Sequence, residues 1–293
     1  MSDQKTKKAK WKELKQSIAF VVFCLCGFLV VGILVAILFF IIVRGIGVIN
    51  WSFLTTAPDD GMTSGGIYPA IIGTLCLVSG ALLFAVPIGV LSGIFLNEYT
   101  RDSFLKRLLK LMTNNLAGIP SIVFGLFGMS LFVNTLKFGD SILAGSLTLG
   151  LLTLPVIIRT TEEALKSVDN SFRHGSLALG ATKLQTVRRV VLPMAFPNII
   201  TGIILSIGRV SGETAPILFT VAAYFLPKLP SSIFDQVMAL PYHLYVITTS
   251  GTNIEKSRPI AYGTALVLIT MVLIVNLLAN WLRRYFSKKV KMN

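Results

Sequence analysis

The feature that most constrains this chain is the apolar run of residues 18–43, which is 26 residues long and contains no charged residue. A helix of about 20 residues is enough to cross the hydrocarbon core of a bilayer. A cleaved signal peptide has an apolar core of only about 7–15 residues, so this run is predicted to be a retained transmembrane helix. The chain is 54% hydrophobic and 14% charged, a composition that excludes an ordinary soluble domain.

Six apolar segments are long enough to span a membrane. They cover about residues 18–43, 69–96, 113–136, 141–159, 198–223 and 259–282. We therefore expect an all-α polytopic membrane protein with six transmembrane helices. The pairs Gly89/Gly93 and Gly208/Gly212 form small-xxx-small patterns, which let neighbouring helices approach closely.

The basic residues are distributed unevenly over the segments between these spans. Of the 27 Lys and Arg residues, 20 fall in one set of alternate segments and five in the other. The rich set comprises the N-terminal segment 1–17, the loops 97–112 and 160–196, and the C-terminal tail 283–293. By the positive-inside rule these segments, and so both termini, are predicted to be cytoplasmic. The net charge of +14 is then a signal of topology rather than of nucleic-acid binding.

Residues that carry enzyme or metal chemistry are not grouped in this sequence. Cys24, Cys26 and Cys76 lie in apolar runs without a CxxC motif, so no metal site is predicted. The chain contains no Gly-Lys pair and so no phosphate-binding P-loop. His174 and His243 fall on opposite sides of the predicted membrane. We therefore predict a protein that is not an enzyme and that needs no cofactor.

The longest predicted cytoplasmic loop, residues 160–196, contains two helical halves separated at residues 179–181. Thr182 and Gln185 have the spacing of a capping box, which predicts the start of the second half. An amphipathic helix of this kind can simply cover the protein surface. It can also dock into a groove on a partner, and the pattern alone does not separate the two.

The spacing in this loop resembles the coupling-helix motif of binding-protein-dependent ABC importer permeases. That motif is EAA, three residues, Gly, nine residues, and then Ile, any residue, Leu and Pro. Here residues 181–189 separate Gly180 from Val190, and the acidic residue usual at position 174 is absent. The sequence Glu162-Glu163-Ala164 lies twelve residues too early to replace it. The resemblance implies that a partner ATPase is contacted by His174, Gly175, Ser176, Gly180, Leu192 and Pro193.

Three longer blocks resemble the PstA-type permeases of phosphate ABC importers. They are AGIPSIVFGLFG (117–128), LPVIIRTTEEAL (154–165) and GRVSGETAPILFT (208–220). The resemblance implies a MetI-like permease domain over residues 66–282, with five transmembrane helices, in the cell membrane of a prokaryote. It further implies two ATPase subunits, a PstC-type permease and an external phosphate-binding protein as partners. The external loops 44–68 and 224–258 are candidates for receiving the binding protein.

Two pairs of charged residues lie in predicted spans. Arg209 and Glu213 are spaced i, i+4, and Arg159 and Glu162 are spaced i, i+3. Charges inside a membrane are costly and usually face a bundle interior or a wet cavity. Each pair can serve structure alone, by neutralising itself and fixing helix register. We expect instead that all four residues line the substrate pathway, because a guanidinium group suits an oxyanion.

Four alternatives to a PstA-type phosphate permease stay open at this point. The chain could be the PstC-type subunit, or a permease for another oxyanion, within the same fold. It could also belong to another class, as a passive anion channel or a membrane-anchored binding protein. An importer requires a separate ATPase, and a passive channel does not.

Overall fold

The computed structural model describes residues 2–101, 103–250 and 254–292, with side chains over 11–13, 15–101, 103–250 and 254–284. The helices are, in chain order, α1 (Ser2–Gly45), α2 (Trp51–Thr55), α3 (Tyr68–Ile94), α4 (Phe104–Ala117), α5 (Ser121–Gly128), α6 (Ile142–Lys166), α7 (Asn170–Ala178), α8 (Lys183–Thr186), α9 (Leu192–Gly212), α10 (Ala215–Thr220), α11 (Leu240–Thr249) and α12 (Ile254–Met292). Wider π-helical turns extend α3 (Phe95–Tyr99) and α5 (Met129–Thr135) and join α8 to α9 (Val187–Val191). Short 3₁₀ turns are Ile46–Val48 and Asp60–Met62, and a two-residue hairpin pairs β1 (Pro58–Asp59) with β2 (Ser64–Gly65).

Five helices in the described part of the chain are long and apolar enough to cross a membrane, and one bent pair of helices passes the same test together. The five are Trp11–Val48, Tyr68–Tyr99, Ile142–Lys166, Lys183–Gly212 and Ile254–Arg284. The sixth crossing is made by Phe104–Ala117 and Ser121–Thr135 if the two are counted as one broken span, bent by 100°. The predicted all-α polytopic fold is therefore confirmed.

The third span, predicted over residues 113–136 with a kink at Pro120, is broken into two separate helices. α4 ends at Ala117, and Pro120 precedes α5 with an extended backbone (φ −57°, ψ 139°). Proline has no N–H to donate, and it disfavours helical geometry in the residue before it. The apolar run therefore breaks into an amphipathic helix and a short membrane-entering helix.

Helices α3 and α6 pack against each other along the centre of the bundle. A Cβ atom on Gly89 would lie 2.6 Å from Ile157 Cγ2, and one on Gly93 would lie 2.7 Å from Thr161 Cβ. The small-xxx-small prediction is confirmed for this pair. For the second pair, a Cβ atom on Gly208 would lie 3.5 Å from Asn276 Nδ2, and one on Gly212 would meet no atom within 4 Å in the described chain.

Helices α6 and α9 run antiparallel, and their contacts fix their relative height. A Cβ atom on Gly202 would overlap Thr160 Oγ1. Asn198 Nδ2 donates to Ser167 Oγ at 3.2 Å. α6 also continues through Lys166, beyond the predicted end at residue 159. The first part of the predicted 160–196 loop is thus helix.

The segments at the opposite end of the bundle from the α7–α8 hairpin are ordered and buried in part. Phe53, Met62 and Ile67 of the 44–68 segment are at most 3% exposed. Leu240 donates its backbone N–H to Thr74 Oγ1 at 2.8 Å, which ties α11 to α3. These segments therefore form a fixed cap on the bundle.

Candidate functional site

The most distinctive local structure is a helix break inside the 208–220 block. α9 ends at Gly212, Glu213 is extended (φ −76°, ψ 127°), and α10 begins at Ala215. Pro216 occupies the first turn of α10, where its missing N–H costs nothing. A continuous helix over residues 198–223 was expected, and that expectation is wrong.

Arg209 and Glu213 remain in contact across this break. Arg209 Nε donates to Glu213 Oε1 at 3.5 Å, and the two side chains are 38% and 18% exposed. The spacing is still i, i+4, but only Arg209 stands on helical backbone. The other N–H donors of the Arg209 guanidinium thus stay available at a surface of this chain that the described residues leave partly open.

The height of Arg209 follows from the packing of α9 on α6. Gly202 lies opposite Thr160, and Arg209 is seven residues further along, about 10 Å at about 1.5 Å per residue. That height corresponds to about residue 153 of α6, close to the middle of this 25-residue helix. Arg209 therefore lies near mid-membrane height, where a charge is costly and usually functional.

The charged residues of α6 pair differently from the predicted Arg159/Glu162 set. Arg159 Nε donates to Glu163 Oε1 at 3.0 Å in an exposed i, i+4 pair. Glu162 forms ion pairs with Lys110 of α4 and, at 2.8 Å, with Lys166. The predicted pairing is wrong because residues four apart on a helix face one another more directly and because α4 brings a lysine to Glu162.

These charges surround a cavity of about 210 Å³ at the end of α6. Its charged lining comprises Lys110, Arg159, Glu162, Glu163 and Lys166. Three cations against two carboxylates give the cavity a net charge of +1. The sequence did not predict Lys110 as a site residue. Lys110 entered the sequence analysis only in the count of basic residues that set the topology, and its partner Glu162 lies 52 positions later in the chain.

The α7–α8 hairpin carries the residues that resemble the coupling motif. The predicted capping box is present: Thr182 N–H donates to Gln185 Oε1 at 2.9 Å, and Gln185 N–H donates to Thr182 Oγ1 at 3.3 Å. Gly180, between the two helices, has φ +83°, a left-handed conformation that favours glycine. The predicted break at residues 179–181 is therefore confirmed.

The remaining motif residues lie on both sides of this turn. His174 and Gly175 are exposed on α7, and Ser176 Oγ lies 2.9 Å from Thr186 Oγ1. Leu192 and Pro193 are half-buried at the start of α9. The structure brings residues 174–176 and 180 together in the hairpin, while Leu192 and Pro193 root it in the bundle.

The hairpin also exposes large apolar side chains. Leu179 is 90% exposed and Leu184 is 66% exposed. Asp169 accepts from Ser171 N–H at 2.7 Å and caps α7, and this hydrogen bond lowers the pKa of the Asp169 carboxyl. An ordered helix pair with exposed leucines is suited to docking into a partner's groove.

A broken span with charges at mid-height is typical of transporters, and the chain also has a helical hairpin that offers an apolar surface to a partner. Residues 85–292 match the family model for the binding-protein-dependent transport system inner membrane component. The match covers more than half of the chain, and the chain belongs to this family.

Curated relatives align over 73–96% of the chain. The probable ABC transporter permease protein YqgI of Bacillus subtilis is 34% identical, with 96% of this chain and 99% of that protein covered. The phosphate transport system permease protein PstA 1 of Mycobacterium tuberculosis is 38% identical, with 96% and 91% covered. PstA of Mycobacterium leprae is 43% identical, with 73% and 69% covered.

Solved structures share the fold at low sequence identity. An inward-facing structure of the MetNI methionine ABC transporter superposes with a TM-score of 0.60 at 18% identity, covering 75% of this chain and 97% of that chain. A bacterial ABC transporter that imports alginate superposes with a TM-score of 0.55 at 15% identity, covering 78% and 80%. The MetI-like permease fold is thereby confirmed.

Proposed function

We propose that this chain is the membrane-spanning permease subunit of an ATP-driven importer that moves inorganic phosphate into the cytoplasm. The observation that carries this proposal is its 38% identity, nearly end to end, to a protein named as a phosphate transport permease. The structure is compatible with this role because it has a charged break at mid-height and a docking hairpin at one end. The permease domain is assigned to residues 66–282.

Arg209 is the proposed anion-binding group of the pathway. A guanidinium offers two parallel N–H donors to an oxyanion and stays charged at any physiological pH. Glu213, at 3.5 Å from Arg209, weakens the hold on the anion, and permeation requires sites that release their substrate. A PstC-type permease would close the open side of the chain on which Arg209 lies.

The cavity at the end of α6 is the proposed second anion-binding site of the pathway. It lies about 10 Å from the height of Arg209 (seven helical residues). Its lining includes Lys110, Arg159 and Lys166. The surplus of positive charge attracts an anion, while Glu162 and Glu163 keep the attraction moderate.

Energy is proposed to come from the two ATPase subunits of the complex, one of which binds the α7–α8 hairpin of this chain. The exposed Leu179 and Leu184 supply the apolar contact, and residues 174–176, Gly180, Leu192 and Pro193 supply the coupling motif. In this arrangement both termini are cytoplasmic, in the cell membrane of a prokaryote. An external phosphate-binding protein docks on the cap formed by residues 44–68 and 224–258.

The test is uptake of radiolabelled phosphate into proteoliposomes that hold the complete complex, with and without ATP and the binding protein. We expect phosphate uptake that requires both and that excess sulfate does not suppress. Suppression by sulfate would favour a permease for another oxyanion. Uptake without ATP or an ATPase subunit would favour a passive anion channel and overturn the proposal.

A further inference from the structure

Every N–H donor of the Arg173 side chain, on α7, makes a hydrogen bond. An arginine side chain has five N–H groups. Nε and Nη2 donate to the Glu98 carboxylate, with the shortest contact at 2.7 Å. Nη2 also donates to Leu165 O at 2.8 Å, and Nη1 donates to Val168 O at 2.7 Å and Asn170 Oδ1 at 3.3 Å. The guanidinium therefore joins α7 to the end of α6 and to a residue 75 positions earlier.

Glu98 lies in the π-helical turn that ends α3. Its side chain is 7% exposed and that of Arg173 is 16% exposed, so the pair is largely shielded from water. The neighbouring Asn97 donates from Nδ2 to Glu98 Oε1 at 2.9 Å and orients the carboxylate. The ion pair thus fixes the hairpin to a transmembrane helix that is not adjacent to it in sequence.

A second contact joins the same turn to the other helix of the hairpin. Lys183 Nζ, at the start of α8, lies 5.3 Å from the centre of the Tyr99 ring, within the range of a cation–π interaction. Ser176 Oγ and Thr186 Oγ1, 2.9 Å apart, connect α7 to α8. Consecutive residues at the end of α3 therefore hold both helices of the hairpin.

We propose that Glu98 and Arg173 form a latch through which the movement of the α7–α8 hairpin is carried to α3. The backbone connects the hairpin directly only to α6 and α9. Without the ion pair, motion of a bound ATPase would reach α3 only through packing and the Lys183–Tyr99 contact. The latch makes α3 part of the moving body, and the close contacts of Gly89 and Gly93 with α6 keep the two helices together. This inference rests on the proposed function, because it assumes that a partner ATPase moves the hairpin.

The two residues act as positioning residues, and their chemistry predicts which substitutions fail. Lysine keeps the charge of Arg173 but offers three donors from one nitrogen, so it cannot reach Glu98, Leu165 O and Val168 O together. Glutamine at position 98 keeps the shape but loses the charge. Both Arg173→Lys and Glu98→Gln should loosen the latch while preserving the packing of the hairpin.

The experiment measures ATP hydrolysis and phosphate uptake in the same proteoliposomes, using the complete complex. Arg173→Lys and Glu98→Gln should retain the ATPase subunits and hydrolyse ATP within about twofold of wild type, yet move at least tenfold less phosphate per ATP. Arg188→Lys, at an exposed position near the same hairpin, should leave that ratio unchanged. The double variant should lose no more than the stronger single variant, since interacting residues are not additive.

A distance measurement keeps the test independent of phosphate transport. Spin labels at Phe95→Cys and Ala178→Cys, in a chain whose three native cysteines are replaced by serine, report the separation of α3 and α7. ATP should leave this distance unchanged with the latch intact and broaden its distribution in Arg173→Lys. Three results would each overturn the latch. The first is a phosphate-to-ATP ratio in the single variants that equals the wild-type ratio, and the second is a loss in the double variant that equals the product of the two single losses. The third is a distance distribution that ATP leaves unchanged both in the labelled wild type and in labelled Arg173→Lys. Loss of phosphate uptake in the wild type, with latch-dependent distances preserved, would instead overturn the proposed substrate.

Discussion

Glu213 contacts Arg209 from beyond the end of the helix that carries the arginine, with Oε1 and Nε 3.5 Å apart. The carboxylate stands on extended backbone between α9 and α10 and can move without unwinding either helix. A long, half-open contact of this kind holds the arginine in place without consuming its donors. This geometry is what the proposed anion path requires of the pair.

Removing the charge of Glu213 should slow release of the anion. In Glu213→Gln, no carboxylate offsets the charge of Arg209, so we expect phosphate to be retained more tightly. The maximal uptake rate should fall at least about threefold, which corresponds to roughly 0.7 kcal/mol at about 1.4 kcal/mol per tenfold change. Initial-rate uptake over a range of binding-protein concentrations measures this. A rate equal to wild type would show that the carboxylate does not tune release.

Glu162 is the stabilising charge of the α6 cavity, because it holds Lys110 of α4 and Lys166 together. Its side chain is 10% exposed, so Glu162→Gln leaves two cations underpaired and should lower the free energy of unfolding by about 1–3 kcal/mol. The control is Glu163→Gln, whose pair with Arg159 is exposed on both sides and contributes about 0–1 kcal/mol. Equal midpoints for the two variants in thermal unfolding in detergent would contradict the ion-pair bridge.

Gly180 should be needed for coupling, because its φ of +83° holds α7 and α8 at the angle of the hairpin. A β-branched residue is strained there, and Gly180→Val should cost about 1–2 kcal/mol locally, distort the docking surface and reduce phosphate uptake per ATP. Gly180→Asn tolerates the conformation better and should retain most coupling. The contradicting result is full coupling in Gly180→Val with the ATPase subunits still bound.

His243 should make the protein less stable in acid. It is 1% exposed in α11, outside the spanning helices, and burial lowers its pKa from 6.5 to about 4. Because the unfolded chain binds the proton at higher pH than the folded chain, stability is fully present above about pH 6.5 and falls as the pH drops toward 4. The loss is on the order of 2–3 kcal/mol.

Two variants separate this effect from general acid denaturation. His243→Phe should flatten the change in melting temperature between pH 7 and pH 4.5, whereas His174→Gln, at the exposed histidine, should leave it in place. If both variants keep the wild-type pH dependence, His243 is not its source.

The sequence predicted the membrane spans well because hydropathy is a property of each segment by itself. It predicted the α7–α8 turn because a capping box and a turn glycine depend only on residues close together in the sequence. It marked Pro120 as a kink in residues 113–136 but not the 100° bend between two helices. It failed at residues 198–223, where continuous apolar composition conceals the break at Glu213. It also failed to pair Glu162 with Lys110 or Glu98 with Arg173, because such partners are chosen by tertiary packing across many residues.

The most direct test of the proposed pathway compares phosphate uptake by Arg209→Ala and Arg209→Lys with wild type, in complexes shown to contain all subunits. Removing a charge-assisted guanidinium contact costs about 1.5–3 kcal/mol, so Arg209→Ala should lose about 10-fold to 100-fold of the uptake rate. Arg209→Lys should lose less, and Arg159→Ala should also lose uptake. Wild-type uptake by both alanine variants would contradict the assignment of these arginines to the anion path.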